Sequence, residues 1–543
     1  MSPVFAFIFP HFTAYFVLKW GFAVRIQKKT ILYAAGVLAC GNIVLQALGF
    51  LYRVLLSHYA GAEGLGVYRL VNSVYLVCNA GCLSGITMAC SRLSAASEAR
   101  GERGKIGMIL RLAFLVFLSA CLFCGAGLLL GGKWIASDIL GDGRCARAFP
   151  FMLLCLALTG IENIFKSLFI GLERMQYAAT SEVCEQLIRI ATVWFLLYQY
   201  QGEDYGIIAM LIFAGMVISE VFSAAFLSFL FRHWKIQSVK HAPLEGETVR
   251  QFFFIALPVS ASALLGNVIS SAGSILLPKR LMVAGLSYEQ ALSALGVLSG
   301  MAMPLLLLPI ALVSSVCTAL LPAITGAQAT GNSKRVRALV GRAITTVGLI
   351  AVPATAVLIP LAPKLSVLFF RQSLSTLYVS LLGATAIVCY YQMASGSLLN
   401  ALGLQHWNVM ISVGAELCQV FLMYRWCAFP WLGIYGYLIA MLLTGAVAFL
   451  LNFIILYRNV GFSLRPIRRF GVPFFCGAAL FFWTRVFHQA FSQICYSDIA
   501  VLACTVVSVG ILYIIVLRLM GIRLLYYLSK RIEKPYLPGL HMW

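Results

Sequence analysis

Along this chain, uncharged stretches long enough to cross a bilayer alternate with short polar connections. The segments Leu112–Gly132, Gln251–Pro278, Gln290–Ser333, Cys427–Tyr457 and Ile499–Leu517 contain no Asp, Glu, Lys or Arg. A hydrocarbon core about 30 Å thick takes roughly 20 apolar residues per helix. Each stretch therefore predicts a transmembrane helix, and Gln290–Ser333 is long enough to hold a loop as well. The full pattern predicts spans at 31–56, 67–90, 107–131, 147–171, 178–200 and 205–231, then 251–277, 291–321, 339–362, 376–402, 407–427 and 433–457, and finally 470–489 and 498–519. The longest polar connection in the middle of the chain, with Pro243, Glu245 and Glu247, separates two sets of six.

The fold class that follows is an all-α polytopic membrane protein of about 14 transmembrane helices. Two six-helix lobes would enclose a central cavity, with two further helices at the C-terminal end. The expected divisions are an N-terminal hydrophobic extension (1–24), a first lobe (25–232), a cytoplasmic connection (233–250), a second lobe (251–458), two more helices (459–520) and a basic cytoplasmic tail (521–543). A weak internal repeat supports the duplication. Gly41-Asn42-Ile43-Val44-Leu45-Gln46-Ala47 matches Gly266-Asn267-Val268-Ile269-Ser270-Ser271-Ala272, and Ser167 to Leu172 matches Ser397 to Leu402.

Composition agrees with the pattern: the 543 residues are 61% hydrophobic and 11% charged, with a mean hydropathy of +0.93. The net charge of +22 is more than a bland membrane protein requires. A nucleic-acid surface would gather cations on one wet face, whereas here they fall in alternate loops, as the positive-inside rule demands. Arg92, Arg100, Arg103 and Lys105 follow the second span, Arg232, Lys235, Lys240 and Arg250 the sixth, Lys334, Arg335 and Arg337 the eighth, and Arg458, Arg465, Arg468 and Arg469 the twelfth. The connection with Glu203 and Asp204 is purely acidic. Both ends of the main body are therefore expected in the cytoplasm, with no nucleic-acid partner. Residues 1–24 lack a basic leader and a small-residue cleavage site, so a span, an interfacial segment and an early start codon all remain open readings.

The cysteines are scattered through apolar runs, where a thiol acts as a small hydrophobe. Cys121 and Cys124 form a C-x-x-C in mid-span without partner ligands. There is no P-loop, H-E-x-x-H or G-x-S-x-G, so no catalytic residues, no metal and no cofactor are expected, and ATP is not expected as a direct driver. Pro258, Pro304, Pro309, Pro322, Pro353 and Pro360, with Gly296 and Gly300, mark points where spans can bend.

Charged residues inside spans are the candidate chemistry, because each costs on the order of 3 kcal/mol at mid-bilayer unless it faces a protein interior or cavity. Arg53 sits near the outer end of the first span, Arg69 begins the second, and Lys279 and Arg280 end the seventh. Such cations could hold an anionic headgroup through bidentate bonds to phosphoryl oxygens, or snorkel to the outer lipid headgroups. Glu162 and Lys166 are four apart, as are Glu185 and Arg189, with Glu182 one turn earlier. These read either as interior ion pairs or as ion-coupling groups, and Glu220 and Glu416, which have no partner close in sequence, join them as candidates.

Gly49-Phe50-Leu51-Tyr52-Arg53 followed by Gly61-Ala62-Glu63-Gly64-Leu65-Gly66-Val67-Tyr68 resembles the opening of the stage V sporulation protein B and polysaccharide-flippase family, within the multidrug/oligosaccharidyl-lipid/polysaccharide exporter superfamily. Further segments agree: Gly171 to Met175, Glu185 to Arg189, Leu277 to Leu281 with Ala284-Gly285, and Pro322-Ala323-Ile324 with Gly331-Asn332. Arg69 departs from the family, as it stands where a neutral polar residue is expected. The resemblance implies a flippase that carries undecaprenyl-diphosphate-linked sugars across a bacterial inner membrane by alternating access, with Arg53, Lys279 and Arg280 on the diphosphate. It also implies membrane lipids, and cell-wall or polysaccharide synthesis enzymes, as partners. A cation-coupled multidrug exporter of the same fold and a membrane-embedded glycan polymerase or ligase are the alternatives.

Overall fold

The computed structural model describes residues 31–200, 202–233, 245–462, 467–494 and 497–520. The expected N-terminal extension, the middle of the inter-lobe connection and the basic tail lie outside them. Among the described residues all regular structure is helical: α1 (Ile31–Ala99), α2 (Arg103–Trp134), α3 (Phe149–Gly171), α4 (Met175–Gln199), α5 (Tyr205–His233) and α6 (Gly246–Val283) come first. Then follow α7 (Tyr288–Gly296), α8 (Met303–Leu306), α9 (Ile310–Ala329), α10 (Ser333–Phe370), α11 (Thr376–Ala401), α12 (Gln405–Trp426), α13 (Ile434–Val460), α14 (Val472–Ile494) and α15 (Asp498–Leu519).

Among the described residues, twelve helices are long and apolar enough to cross a membrane. Two features raise the number of spanning segments to the fourteen expected. α1 is two limbs joined at Gly61, whose φ of 65° and ψ of −174° belong to a backbone region essentially restricted to glycine. α4 is 25 residues long and falls short on hydropathy because it carries Glu182, Glu185 and Arg189. The chain is thus a multi-pass membrane protein. Its outward surface is correspondingly inverted, with Phe123 85%, Leu130 90% and Phe254 82% exposed, which suits lipid rather than water.

The eighth span, expected as one run, is broken instead. α7 passes through a π-helical stretch, Val297–Ala302, into the single turn α8, and α9 restarts after Pro309. Pro304 and Pro309 cannot donate to the helical ladder, so carbonyls near the break are left free. The fully buried Tyr390 hydroxyl donates to one of them, the Leu306 carbonyl, at 2.8 Å.

The chain forms two compact units. One runs to Pro304 and takes in Glu416–Tyr437; its core includes Leu83, Ile109, Phe117, Ile164, Phe169 and Phe252. The other comprises Leu305–Ala415 and the chain from Leu438 onward, around Ile324, Leu339, Val340, Leu399, Leu456 and Phe462. Within the first unit, the second limb of α1 lies against α6 and α7 so closely that backbones meet. A Cβ on Gly296 would sit 1.9 Å from the Ala62 carbonyl oxygen, and one on Gly85 would sit 2.0 Å from that of Ala256. Helices in lipid gain association energy from such close approach at small residues. Gly296→Val should lower thermal stability in detergent by roughly 1–3 kcal/mol or more through overpacking, whereas Gly414→Ala, at a site with nothing within 4 Å, should leave it unchanged. Equal melting temperatures for the two variants would contradict this packing.

At one end of this unit the connections expected on the outer face are laced together by charge. Arg144 pairs with Glu63 at 3.0 Å and with Asp142 at 2.9 Å, and Arg147 pairs with Asp204. Asp204 caps α5, accepting from the Gly206 N–H at 2.9 Å. Partial burial pushes its carboxyl up, but this N–H and the Arg147 guanidinium outweigh it and hold the group below the usual carboxylate range.

Candidate functional site

The two charged sets singled out from the sequence occupy different places in the first unit. Arg53 and Arg69 stand eight residues on either side of the Gly61 break, so each lies about 12 Å along its limb from the turn at 1.5 Å per residue. The limbs fold back as a hairpin, bringing Arg53 into the electrostatic reach of Tyr68 and Arg69. Arg53 is exposed, while the Nε of Arg69 is buried with no hydrogen-bond partner. The charged neighbour that acts on Arg53 is thus another guanidinium, and no carboxylate is among its main electrostatic influences.

Lys279 and Arg280 are held differently. The Lys279 ammonium donates to the carbonyls of Asp138, at 3.1 Å, and Ile139, at 2.7 Å, in the short π-helix Ile135–Leu140 that follows α2. Arg280 donates from Nε to the Tyr424 carbonyl at 2.8 Å and lies over the Tyr424 ring, 3.9 Å from its centroid. Both residues close helix ends, with α6 bound to α2's extension through one and to α12 through the other.

The second set converges into one buried network between α3, α4 and α5. The expected i, i+4 pairs are present: Lys166 contacts Glu162, and Arg189 contacts Glu185. Tertiary packing then joins them. Lys166 also reaches Glu185 at 3.1 Å and Glu182 at 3.8 Å, and Arg189 reaches Glu220 on α5 at 3.0 Å. Ser223 donates to Glu162 at 2.6 Å, and the Arg189 Nε lies 3.4 Å from the Ser219 hydroxyl. The serines flank Glu220 at i−1 and i+3 on α5, the one sequence signal that could have revealed the interhelical contact. Glu162, Glu185 and Glu220 are almost sealed from solvent, and one carboxylate oxygen from each lies within 4.8 Å of the others. That spacing could suit a metal ion, but Lys166 and Arg189 already occupy carboxylate oxygens there.

Glu416 stands apart from this network. Its Oε2 is buried without a hydrogen-bond partner, facing Gly266 of α6. Of the C-x-x-C pair, Cys124 has thiol neighbours from another helix. The helix hairpin of α1 and α2 brings Cys78 and Cys82 within hydrogen-bonding reach of Cys124, and all four are free thiols.

A family described as polysaccharide biosynthesis protein matches residues 31–328. Stage V sporulation protein B of Bacillus subtilis (strain 168) is 26% identical over 435 residues, covering 78% of this chain and 82% of that protein. Lipid II flippase MurJ of the same organism is 23% identical over 364 residues, covering 60% of this chain and 64% of its own. Among solved structures, an inward-facing multidrug resistance MATE family transporter of the MOP superfamily superposes with a TM-score of 0.63 at 16% identity, over 77% of this chain and 94% of the other. A second MOP superfamily transporter, from Pyrococcus furiosus, gives 0.58 at 16% identity over 79% and 95%. These structures share the fold of helices described above. The matched family segment spans the whole of α1–α8 and most of α9, including both charged sites, and the chain belongs to the polysaccharide biosynthesis protein family.

Proposed function

We propose that the chain is a flippase for lipid-linked oligosaccharide or peptidoglycan precursor, carrying an undecaprenyl-diphosphate-linked sugar across a bacterial inner membrane. The observation that carries this reading is the Arg53–Arg69 pair: two cations at matched depth on one hairpin, one of them with a buried and unpartnered N–H. A diphosphate offers several anionic oxygens, and a guanidinium can engage two of them at once. The relative named lipid II flippase and the membership in a polysaccharide biosynthesis family support a lipid-linked sugar as cargo. No bond-making chemistry is required of the protein, so it is read as a transporter rather than an enzyme. Enzymes of cell-wall or polysaccharide synthesis would supply and consume the cargo.

Lys279 and Arg280 take a supporting place in this reading, securing the helix ends that border the headgroup path. Alternating access would open the headgroup path first to one face and then to the other, with both ends of the main body in the cytoplasm. The basic connections after the second, sixth, eighth and twelfth spans support that orientation.

The test is headgroup translocation in proteoliposomes, comparing an undecaprenyl-diphosphate-linked sugar with a cationic dye. Movement of the sugar lipid alone is expected. Movement of the dye alone would replace this reading with that of a multidrug exporter.

A further inference from the structure

We propose that the buried ionic network between α3, α4 and α5 binds one exchangeable proton, shared by the carboxyl groups of Glu162 and Glu220. The proposal deepens the transport reading by giving a proton gradient a place to act, and it rests on that reading only for this use.

The argument begins with a count of charge. Glu162, Glu185 and Glu220 are 1%, 7% and 3% exposed, so three carboxyl groups lie in the interior. Two cations face them, Lys166 and Arg189. Glu182 is a fourth acid but its side chain is 45% exposed, at the edge of the network. With all buried groups ionised the interior holds one unbalanced negative charge. An uncompensated buried charge is among the costliest features a helix bundle can carry.

The hydrogen bonds show where the imbalance falls. Glu185 divides its oxygens between the two cations, Oε1 to Arg189 and Oε2 to Lys166. Glu162 accepts on Oε1 from both Lys166 and Ser223. Glu220 uses Oε1 for Arg189, and its Oε2 is buried with no partner. A carboxylate oxygen without a donor is the costly state, whereas a protonated one is itself a donor. An oxygen of Glu162 lies within 4.8 Å of one on Glu220, so the proton has an acidic neighbour of the same kind to share it with.

A second orphaned group faces the network from α1. The Tyr52 hydroxyl is buried, has no hydrogen-bond partner and lies in the electrostatic field of Arg189. Tyr68 and Tyr75 approach from the same helix, in reach of Arg189 and Glu220 respectively, with the Tyr75 hydroxyl 3.0 Å from Thr159. Cys155 of α3 is the remaining titratable neighbour of Glu220. None of these is a cation, and Arg53 and Arg69 of α1, which act on Tyr68, are not among the main charged influences on Glu162 or Glu220. A divalent ion would exceed the deficit by one charge and would be repelled by Lys166 and Arg189; a single proton closes it.

The experiment uses the full chain in lipid nanodiscs, without substrate, in sodium-free buffer at neutral pH. Infrared spectroscopy should show a carbonyl stretch of a protonated carboxylic acid that shifts in D2O, disappears in Glu220→Gln and changes frequency in Glu162→Gln. Because the amide mimics the protonated acid, Glu220→Gln should melt at or above the wild-type temperature. Absence of the band, a band indifferent to both substitutions, its loss on adding sodium at constant pH, or a marked fall in the melting temperature of Glu220→Gln would each overturn the proposal. No lipid-linked sugar enters either measurement, so failure here leaves the flippase reading intact, and failure of that reading leaves the proton site.

Discussion

Replacing both Arg53 and Arg69 with alanine should slow translocation of the lipid-linked headgroup by about a hundredfold or more while the protein still folds and inserts. A hydrogen bond to a charged group contributes roughly 1.5–3 kcal/mol, and each 1.4 kcal/mol is a factor of about ten, so losing one such bond from each arginine gives at least that factor. Folding should be spared because Arg53 is exposed and the Arg69 Nε has no protein partner to abandon. Lysine at both positions should recover part of the rate, since it restores charge without the bidentate fork. The rate is read in proteoliposomes against the melting temperature of the same preparations. Translocation within threefold of wild type in the alanine double variant would remove these residues from the cargo site.

The other large effect concerns stability. Lys166→Met is expected to cost about 3–5 kcal/mol, the range found when one partner of a buried ion pair is removed. Lys166 is itself 8% exposed and contacts Glu162 and Glu185, so its loss strands two buried carboxylates. The sign of the repair is fixed by the same physics. Adding Glu185→Gln removes one stranded charge, so the double variant should be more stable than Lys166→Met alone, with a coupling energy of roughly 0.5–3 kcal/mol in a double-mutant cycle. Additive effects of the two substitutions would show that the buried contact carries no energy. These outcomes are independent of transport and can be measured by thermal unfolding in detergent.

Residues 31–328 place the chain in the polysaccharide biosynthesis protein family, yet the site divides unevenly between what is local and what is not. The spans were legible because a bilayer crossing is a demand on length and polarity along the chain, and both can be counted. The pairs Glu162–Lys166 and Glu185–Arg189 were legible too, because four residues bring side chains to one face of any α-helix. Even the extra span α4, which hydropathy alone discounts, is recovered once its charges are read as paired.

Tertiary structure decided the contacts between helices. In a soluble protein the apolar stripe of a helix tells which side faces inward. In lipid, most faces are apolar, so the sequence of α5 does not say that Glu220 turns toward Arg189 or that Ser223 meets Glu162. The thiols of Cys78, Cys82 and Cys124 met for the same reason, through packing of α2 on the second limb of α1. Lys279 and Arg280 stand at a span end in the sequence, and only the fold showed that they meet the carbonyls of Asp138, Ile139 and Tyr424. Sequence thus determined which segments cross the membrane and which charges they carry. Helix rotation and close packing, as where Gly215 of α5 meets Val193 of α4, are set by van der Waals fit rather than by hydrophobic pattern and determined which of those charges meet.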